Sequence, residues 1–179
     1  MAFIISDLIL DSQDYCYKNR NRRGATDYQG YVTNDLVYAN NYEYSHIRSW
    51  LNTIFYFTVF DTFEKQIINT TMVYNLDYFA SGLENKYSCG IIVDKMFLLS
   101  NEEVKTYYLS NELRTAKSSD YAKSQALHVY AGERNSFYKL RTPDCSECYC
   151  SCNVGFDGRL YYNKVNLIGG VRPVCWINL

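Results

Sequence analysis

Apolar positions along this chain change period partway through. Phe3-Ile4-Ile5 and Leu8-Ile9-Leu10 read as a buried strand running into a turn at Asp11-Ser12-Gln13-Asp14. Residues 16–42 are polar and read as a long surface loop. After Ser45, a good N-cap, Ile47, Trp50, Leu51, Ile54 and Phe55 fall at helical spacing with one apolar stripe. Asp61 with Glu64 and Ser100 with Glu103 are capping-box pairs. The first opens a helix through Phe63, Ile67 and Ile68, and the second a helix through Val104, Tyr107, Tyr108 and Leu109. Thr71–Tyr74 and Lys95–Leu99 read as strands, and Ser119–Leu127 as a short helix.

Beyond that helix the period is two. Ser136–Leu140 predicts a strand, and Asn153-Val154 with Leu160–Val165 predicts a hairpin about Phe156-Asp157-Gly158-Arg159. Val171–Ile177 predicts the last strand. The pattern is that of an α+β domain, an antiparallel sheet with two or more packed helices. Trp50, Leu51, Phe97, Leu98, Leu140, Val171 and Trp176 recur at core spacing and are expected to be buried. Arg141 and Arg172 stand in apolar strands, where an unpaired guanidinium is costly. Both are expected to be structural, bonded to carboxylates or carbonyls.

A length of 179 residues fits one domain, 1–179, able to bury a proper core. A net charge of -1 gives no bulk electrostatic attraction for nucleic acid or an acidic membrane. Lys18, Arg20, Arg22 and Arg23 cluster around Gly24, and such a run reads first as a solvated loop. No apolar run nears the roughly 20 residues of a membrane span. The start of the chain lacks the basic and apolar regions of a signal peptide. The expectation is cytoplasmic synthesis or a place in a phage particle, without direct membrane insertion.

Composition sharpens the picture in two places. There are 19 Tyr against 9 Phe and 2 Trp, and stiff amphipathic tyrosines suit binding surfaces. Tyr15, Tyr28, Tyr31, Tyr42, Tyr87 and Tyr107 read as strand and core-edge residues. Of the 7 Cys, Cys145, Cys148, Cys150 and Cys152 crowd into one segment, and an odd total argues against a fully paired framework. Four thiolates there could hold zinc, although structural zinc sites draw ligand pairs from separated knuckles. Disulfides among these four, or between Cys16 and Cys89, are a further alternative and require an oxidising compartment. No cofactor is the first expectation. For an enzyme the candidates are Cys175, His46 and His128, but no spacing supports a nucleophile–base pair, and Cys175 reads as a small apolar residue.

Several motifs are familiar in their order: Ile47-Arg48-Ser49-Trp50-Leu51-Asn52, Lys95-Met96-Phe97-Leu98-Leu99-Ser100-Asn101-Glu102-Glu103 and Tyr121-Ala122-Lys123-Ser124. Leu140-Arg141-Thr142-Pro143, Asp157-Gly158 and Gly170-Val171-Arg172-Pro173 follow. The chain resembles a domain family of unknown function common in gut Firmicutes and their phages. The resemblance implies a C-type-lectin-like fold of the branch related to formylglycine-generating-enzyme-like domains. It also implies that a strand usual before Phe3 is lacking or replaced here. Where the family has Trp-Trp before Leu-Arg, this chain has Tyr138-Lys139, and where it has Gly after Pro, Asp144 stands.

Between the regular frames lies Asp144–Asn153, a stretch of Cys, Ser, Tyr, Asn and acids without core periodicity. A rigid frame around a polar and aromatic insert is how binding surfaces are built. Residues 135–179 are therefore the expected binding region, with Tyr138, Lys139, Asp144, Ser146, Tyr149, Ser151, Asn153, Tyr161 and Asn163 as ligand-contacting residues on an exposed face. Tyr161 and Asn163 should share one side of their strand, opposite Tyr162. The chain also resembles the variable proteins of diversity-generating retroelements, which randomise adenines in Asn codons. Most of the insert and hairpin is drawn from the residues such codons reach, Glu147 excepted. The implied partner is a protein or glycan on a cell surface. The alternatives are a fixed-sequence binding domain with a zinc site at Cys145, Cys148, Cys150 and Cys152, and a Cys-dependent enzyme.

Overall fold

The structure is a computed structural model that describes residues 1–75, 85–125, 127–130 and 135–179. Strand β1 (Ala2–Ile5) leads to β2 (Asp11–Gln13), and a small ribbon of β3 (Ala25–Thr26) and β4 (Val32–Thr33) follows. One helical rod comprises α1 (His46–Trp50), a π-helical turn at Leu51–Phe55 and α2 (Tyr56–Val59), with α3 (Thr62–Ile67) after it. The hairpin β5 (Thr71–Asn75) and β6 (Gly90–Asp94) precedes α4 (Asn101–Tyr107), α5 (Asn111–Arg114) and α6 (Asp120–Ser124). The chain ends in β7 (Tyr138–Pro143), β8 (Cys150–Val154), β9 (Leu160–Lys164), β10 (Gly169–Val171) and β11 (Val174–Ile177).

The result is a mixed α/β domain with antiparallel sheets and a few short helices. The largest sheet has the order β2-β10-β7-β8-β9, antiparallel except for one parallel contact, Gly170 with Tyr138. The last strand lies beside the first: β11 pairs antiparallel with β1 from Ala2–Ile177 to Ile5–Val174, which brings the termini together. Among the described residues no helix is long and apolar enough to cross a membrane.

Local signals are obeyed where the sequence is self-sufficient. Ser45 Oγ accepts from Arg48 N at 3.2 Å, opening α1. Both capping boxes close: Asp61 Oδ1 from Glu64 N at 2.8 Å with Glu64 Oε2 from Asp61 N at 2.9 Å, and Ser100 Oγ from Glu103 N at 3.1 Å with Glu103 Oε2 from Ser100 N at 2.9 Å. Of the expected core, Trp50, Leu51, Phe97, Leu98, Leu140 and Val171 are buried, and Trp176 is half-buried in contact with Phe3.

Other expectations are corrected. Asp11–Gln13 is a strand, since its backbone completes the edge of β10. Val171–Ile177 breaks at Arg172-Pro173, because proline has no N–H for a ladder, and the two pieces serve different sheets. Lys95–Leu99 forms no strand of its own, although Met96–Leu99 is buried. Its backbone groups are satisfied elsewhere: Asn52 Oδ1 accepts from Lys95 N and Met96 N (3.0 and 3.1 Å), Asn52 Nδ2 donates to Met96 O (2.8 Å), and Phe97 exchanges two bonds with Val174. Ile54 faces out, and the 16–42 loop carries buried Val37, Ala39, Asn40 and Tyr42. The helix expected from Ser119 to Leu127 ends at Ser124, and Ala126 lies outside the described residues. Of the six tyrosines read as core-edge, Tyr15, Tyr42 and Tyr87 are buried, while Tyr31 and Tyr107 are exposed.

A buried ion pair ties the rod to the hairpin: Arg48 Nε donates to both oxygens of Asp94 at 2.9 and 3.1 Å. Burial pushes the Asp94 carboxyl up to about 6, against the pull of Arg48.

Candidate functional site

The frame around the C-terminal insert is held by its arginines. Arg141 Nη1 and Nη2 clasp Glu103 at 2.5 and 2.7 Å, and the same guanidinium donates to Leu98 O and Tyr74 O. Glu103 thus closes the cap of α4 and anchors β7 at once. Arg172 Nε donates to Ser6 O at 2.6 Å and Nη1 to the Tyr138 hydroxyl at 3.3 Å, with its guanidinium over the rings of Tyr108 and Tyr138. Both arginines are buried structural groups, as their apolar setting required.

The β8–β9 hairpin turns at Gly155–Arg159. Gly158 has φ +78°, and a Cβ there would lie 1.7 Å from Asn111 O, so glycine is required on two counts. Asp157 Oδ1 accepts from Arg159 N at 3.1 Å, and Asp157 Oδ2 accepts from the Tyr161 hydroxyl at 2.9 Å. Register puts Tyr161 opposite Asn153 and Asn163 opposite Ser151, with Tyr162 opposite Cys152, so the hairpin side chains divide between faces as alternation demands.

The nine expected contact residues do not form one exposed face. Tyr138 and Lys139 are each 1 % exposed, and Asp144, Ser151 and Asn153 are also buried. Tyr138 points into the core beside Leu140 and Val154, and its hydroxyl donates to Arg114 O at 2.9 Å. Burial pushes that hydroxyl up to about 12. Asp144 spends its carboxylate on Ser146 N at 3.0 Å, closing a local turn. Ser151 and Asn153 project from the side of β8 opposite Cys152 and Val154, next to Lys139 across β7. Among the described residues Lys139 Nζ, Ser151 Oγ and Asn153 Oδ1 have no hydrogen-bond partner. Burial lowers the Lys139 ammonium to about 8, with Asp14 pulling the other way. Ser146, Tyr149 and Tyr161 are exposed, as is Tyr162, and Asn163 is half-buried.

The loop 145–149 is pinned by a residue that sequence reading missed. Asn40, buried, points Nδ2 at the carbonyls of Asp144, Glu147 and Cys150 (3.2, 3.1 and 3.0 Å), and Asn40 N donates to Cys148 O at 2.9 Å. Nothing periodic marks Asn40 in sequence.

No disulfide joins any of the seven cysteines, and among the described residues no group of three or more His, Cys, Asp or Glu is gathered as a metal site. The strand pattern explains the second point: β8 draws Cys152 into the core, while Cys145, Cys148 and Cys150 stay half-buried. Burial raises the Cys175 thiol in β11. Its neighbourhood is apolar core, and the two histidines are engaged elsewhere, His46 with Asp14 and His128 with the ring of Tyr130.

A mixed α/β domain thus presents an exposed, aromatic loop and hairpin on a closed frame. Residues 2–179 match the family described as a domain of unknown function, DUF6273, and the chain belongs to that family. No curated protein and no solved structure matches the chain.

Proposed function

We propose that this domain is a ligand-recognition module of C-type-lectin-like architecture, of the branch related to formylglycine-generating-enzyme-like domains. Pairing of the first and last strands supports the architecture. The observation that carries the function is the separation of frame from display. Arg141, Arg172, Gly158 and Asn40 hold the backbone from below, while Ser146, Tyr149, Tyr161 and Tyr162 stand in solvent. Exposed rigid tyrosines on a fixed backbone lose little entropy on binding. Strand β9 also ends its sheet, so its outer edge is open to a partner among the described residues. The ligand class is a protein or glycan of a cell surface, and no step of chemistry is required of the site.

The refinement to a diversified protein of a retroelement is narrowed by burial. Ser146, Tyr149, Tyr161, Tyr162 and Asn166 are exposed, with Cys145, Cys148, Cys150 and Asn163 half-buried, whereas Asp144, Ser151, Cys152 and Asn153 are enclosed. Diversification would therefore fall on the first group. A near-copy of the C-terminal coding stretch beside a reverse-transcriptase gene, differing at adenines in those codons, would support it.

The direct test replaces Tyr149, Tyr161 and Tyr162 together by Ala and screens both proteins on a glycan array and against intact bacterial cells. Loss of binding at an unchanged melting temperature is expected. Binding that persists in the triple variant, or no binding by the wild type in either format, would overturn the reading.

A further inference from the structure

The basic run that reads in sequence as a solvated loop becomes the wall of a cleft. Lys18, Arg22 and Arg23 line a cavity of about 370 Å³ together with Tyr44, His46 and Ser49, and no carboxylate lines it. Among the described residues each cation meets neutral groups. Arg22, half-buried, donates from Nη2 to Tyr44 O at 2.5 Å and from Nη1 to Cys16 Sγ at 3.4 Å. Arg23 Nη1 donates to Asn34 O at 3.2 Å, and the Lys18 ammonium lies 5.2 Å from the ring centre of Tyr17. Among the described residues none of the three enters an ion pair. His46 gives Nδ1 to Asp14 Oδ1 at 2.5 Å, which occupies that carboxylate and leaves the other ring nitrogen for the cleft.

Three like charges gathered around one space repel one another, and Arg22, the half-buried one, also loses solvation without a counter-charge. An oxyanion offers what the arrangement lacks: opposite charge, and several acceptors for guanidinium, ammonium and imidazole N–H groups. The volume suits a small ligand, since such sites run from roughly 300 to 1,000 Å³. We propose that this cleft binds a phosphate or sulfate group carried on a ligand of about monosaccharide size, with Tyr17 and Tyr44 against its ring. The cleft also adjoins the display surface. Tyr15 N and Cys16 N both donate to Val165 O, just past β9, and Val165 N donates to Tyr149 O. The anion site stands independently of the recognition reading, because none of its cations belongs to the loop or hairpin.

Titration calorimetry of the intact chain with inorganic phosphate and with inorganic sulfate, each against sodium chloride at matched ionic strength, tests this. A sugar 6-phosphate and a sulfated disaccharide then distinguish the two ester sources. Saturable heat with at least one oxyanion is expected, accompanied by a shift of the His46 ring protons in NMR. The double variant Lys18→Gln, Arg23→Gln should bind roughly tenfold more weakly or worse, since two charge-assisted contacts are lost. Should that variant melt early, Arg23→Gln alone serves. No saturable binding of either oxyanion beyond chloride, or undiminished binding by a folded variant, would refute the site. The tyrosine variants above should leave oxyanion binding intact, so failure of one proposal is separable from failure of the other.

Discussion

Replacing Lys139 by Met should stabilise this protein. Lys139 is almost wholly buried on β7, its Nζ has no hydrogen-bond partner among the described residues, and burial holds its ammonium at about 8 against an ordinary 10.5. At pH 7, below both values, the amine is charged in the folded and the unfolded chain alike, so the folded state bears the whole cost of the buried charge. At about 1.4 kcal/mol per pH unit, that cost is on the order of 3 kcal/mol. Methionine has similar length, no charge and a flexible thioether, so it fills the same space. The expected gain of about 3 kcal/mol corresponds to a rise in melting temperature of roughly 5–10 °C for a chain of this size. The sign with pH is also determined. Between about 8 and 10.5 the unfolded chain holds a proton that the folded chain has released, so wild-type stability rises with pH across that window relative to the variant. Urea denaturation of both proteins at pH 7, 8, 9 and 10, compared as differences so that other titrating groups cancel, measures the gap. A gap that shrinks with pH supports the reasoning. A variant less stable than wild type at pH 7, or a gap constant across the series, would mean that the ammonium has a native partner and that the argument is wrong.

Two further perturbations probe the frame. Asn40→Ala removes the side-chain donor facing the carbonyls of Asp144, Glu147 and Cys150, and should cost about 1–3 kcal/mol while raising hydrogen-exchange rates in residues 144–150 above those of β8 and β9. Uniform exchange in the variant would show that the loop is held otherwise. Gly158→Ala places a methyl group against Asn111 O at a positive φ and should destabilise by more than about 1 kcal/mol, read as a drop in the denaturation midpoint; an unchanged midpoint would contradict the required close approach.

Much of the local structure was legible in the chain. Ser45, Asp61–Glu64 and Ser100–Glu103 start helices because a cap is made by residues three apart, whatever surrounds them. Gly158 marks its turn because only glycine takes that backbone cheaply, and an arginine in an apolar strand must find partners, as Arg141 and Arg172 do. Tertiary structure alone decided the rest. Lys95–Leu99 has strand composition, yet Asn52 and Val174 take up its backbone groups first. Tyr138, Lys139, Ser151 and Asn153 look like surface residues, and they are enclosed because both faces of β7 and β8 are covered. Asn40 and the cations at 18–23 owe their roles to chain that lies far away in sequence, since a single side chain can reach Cys150 or Tyr44 only after folding brings them near. Local geometry is written in neighbouring residues, whereas burial and charge clustering depend on which distant segments share a space.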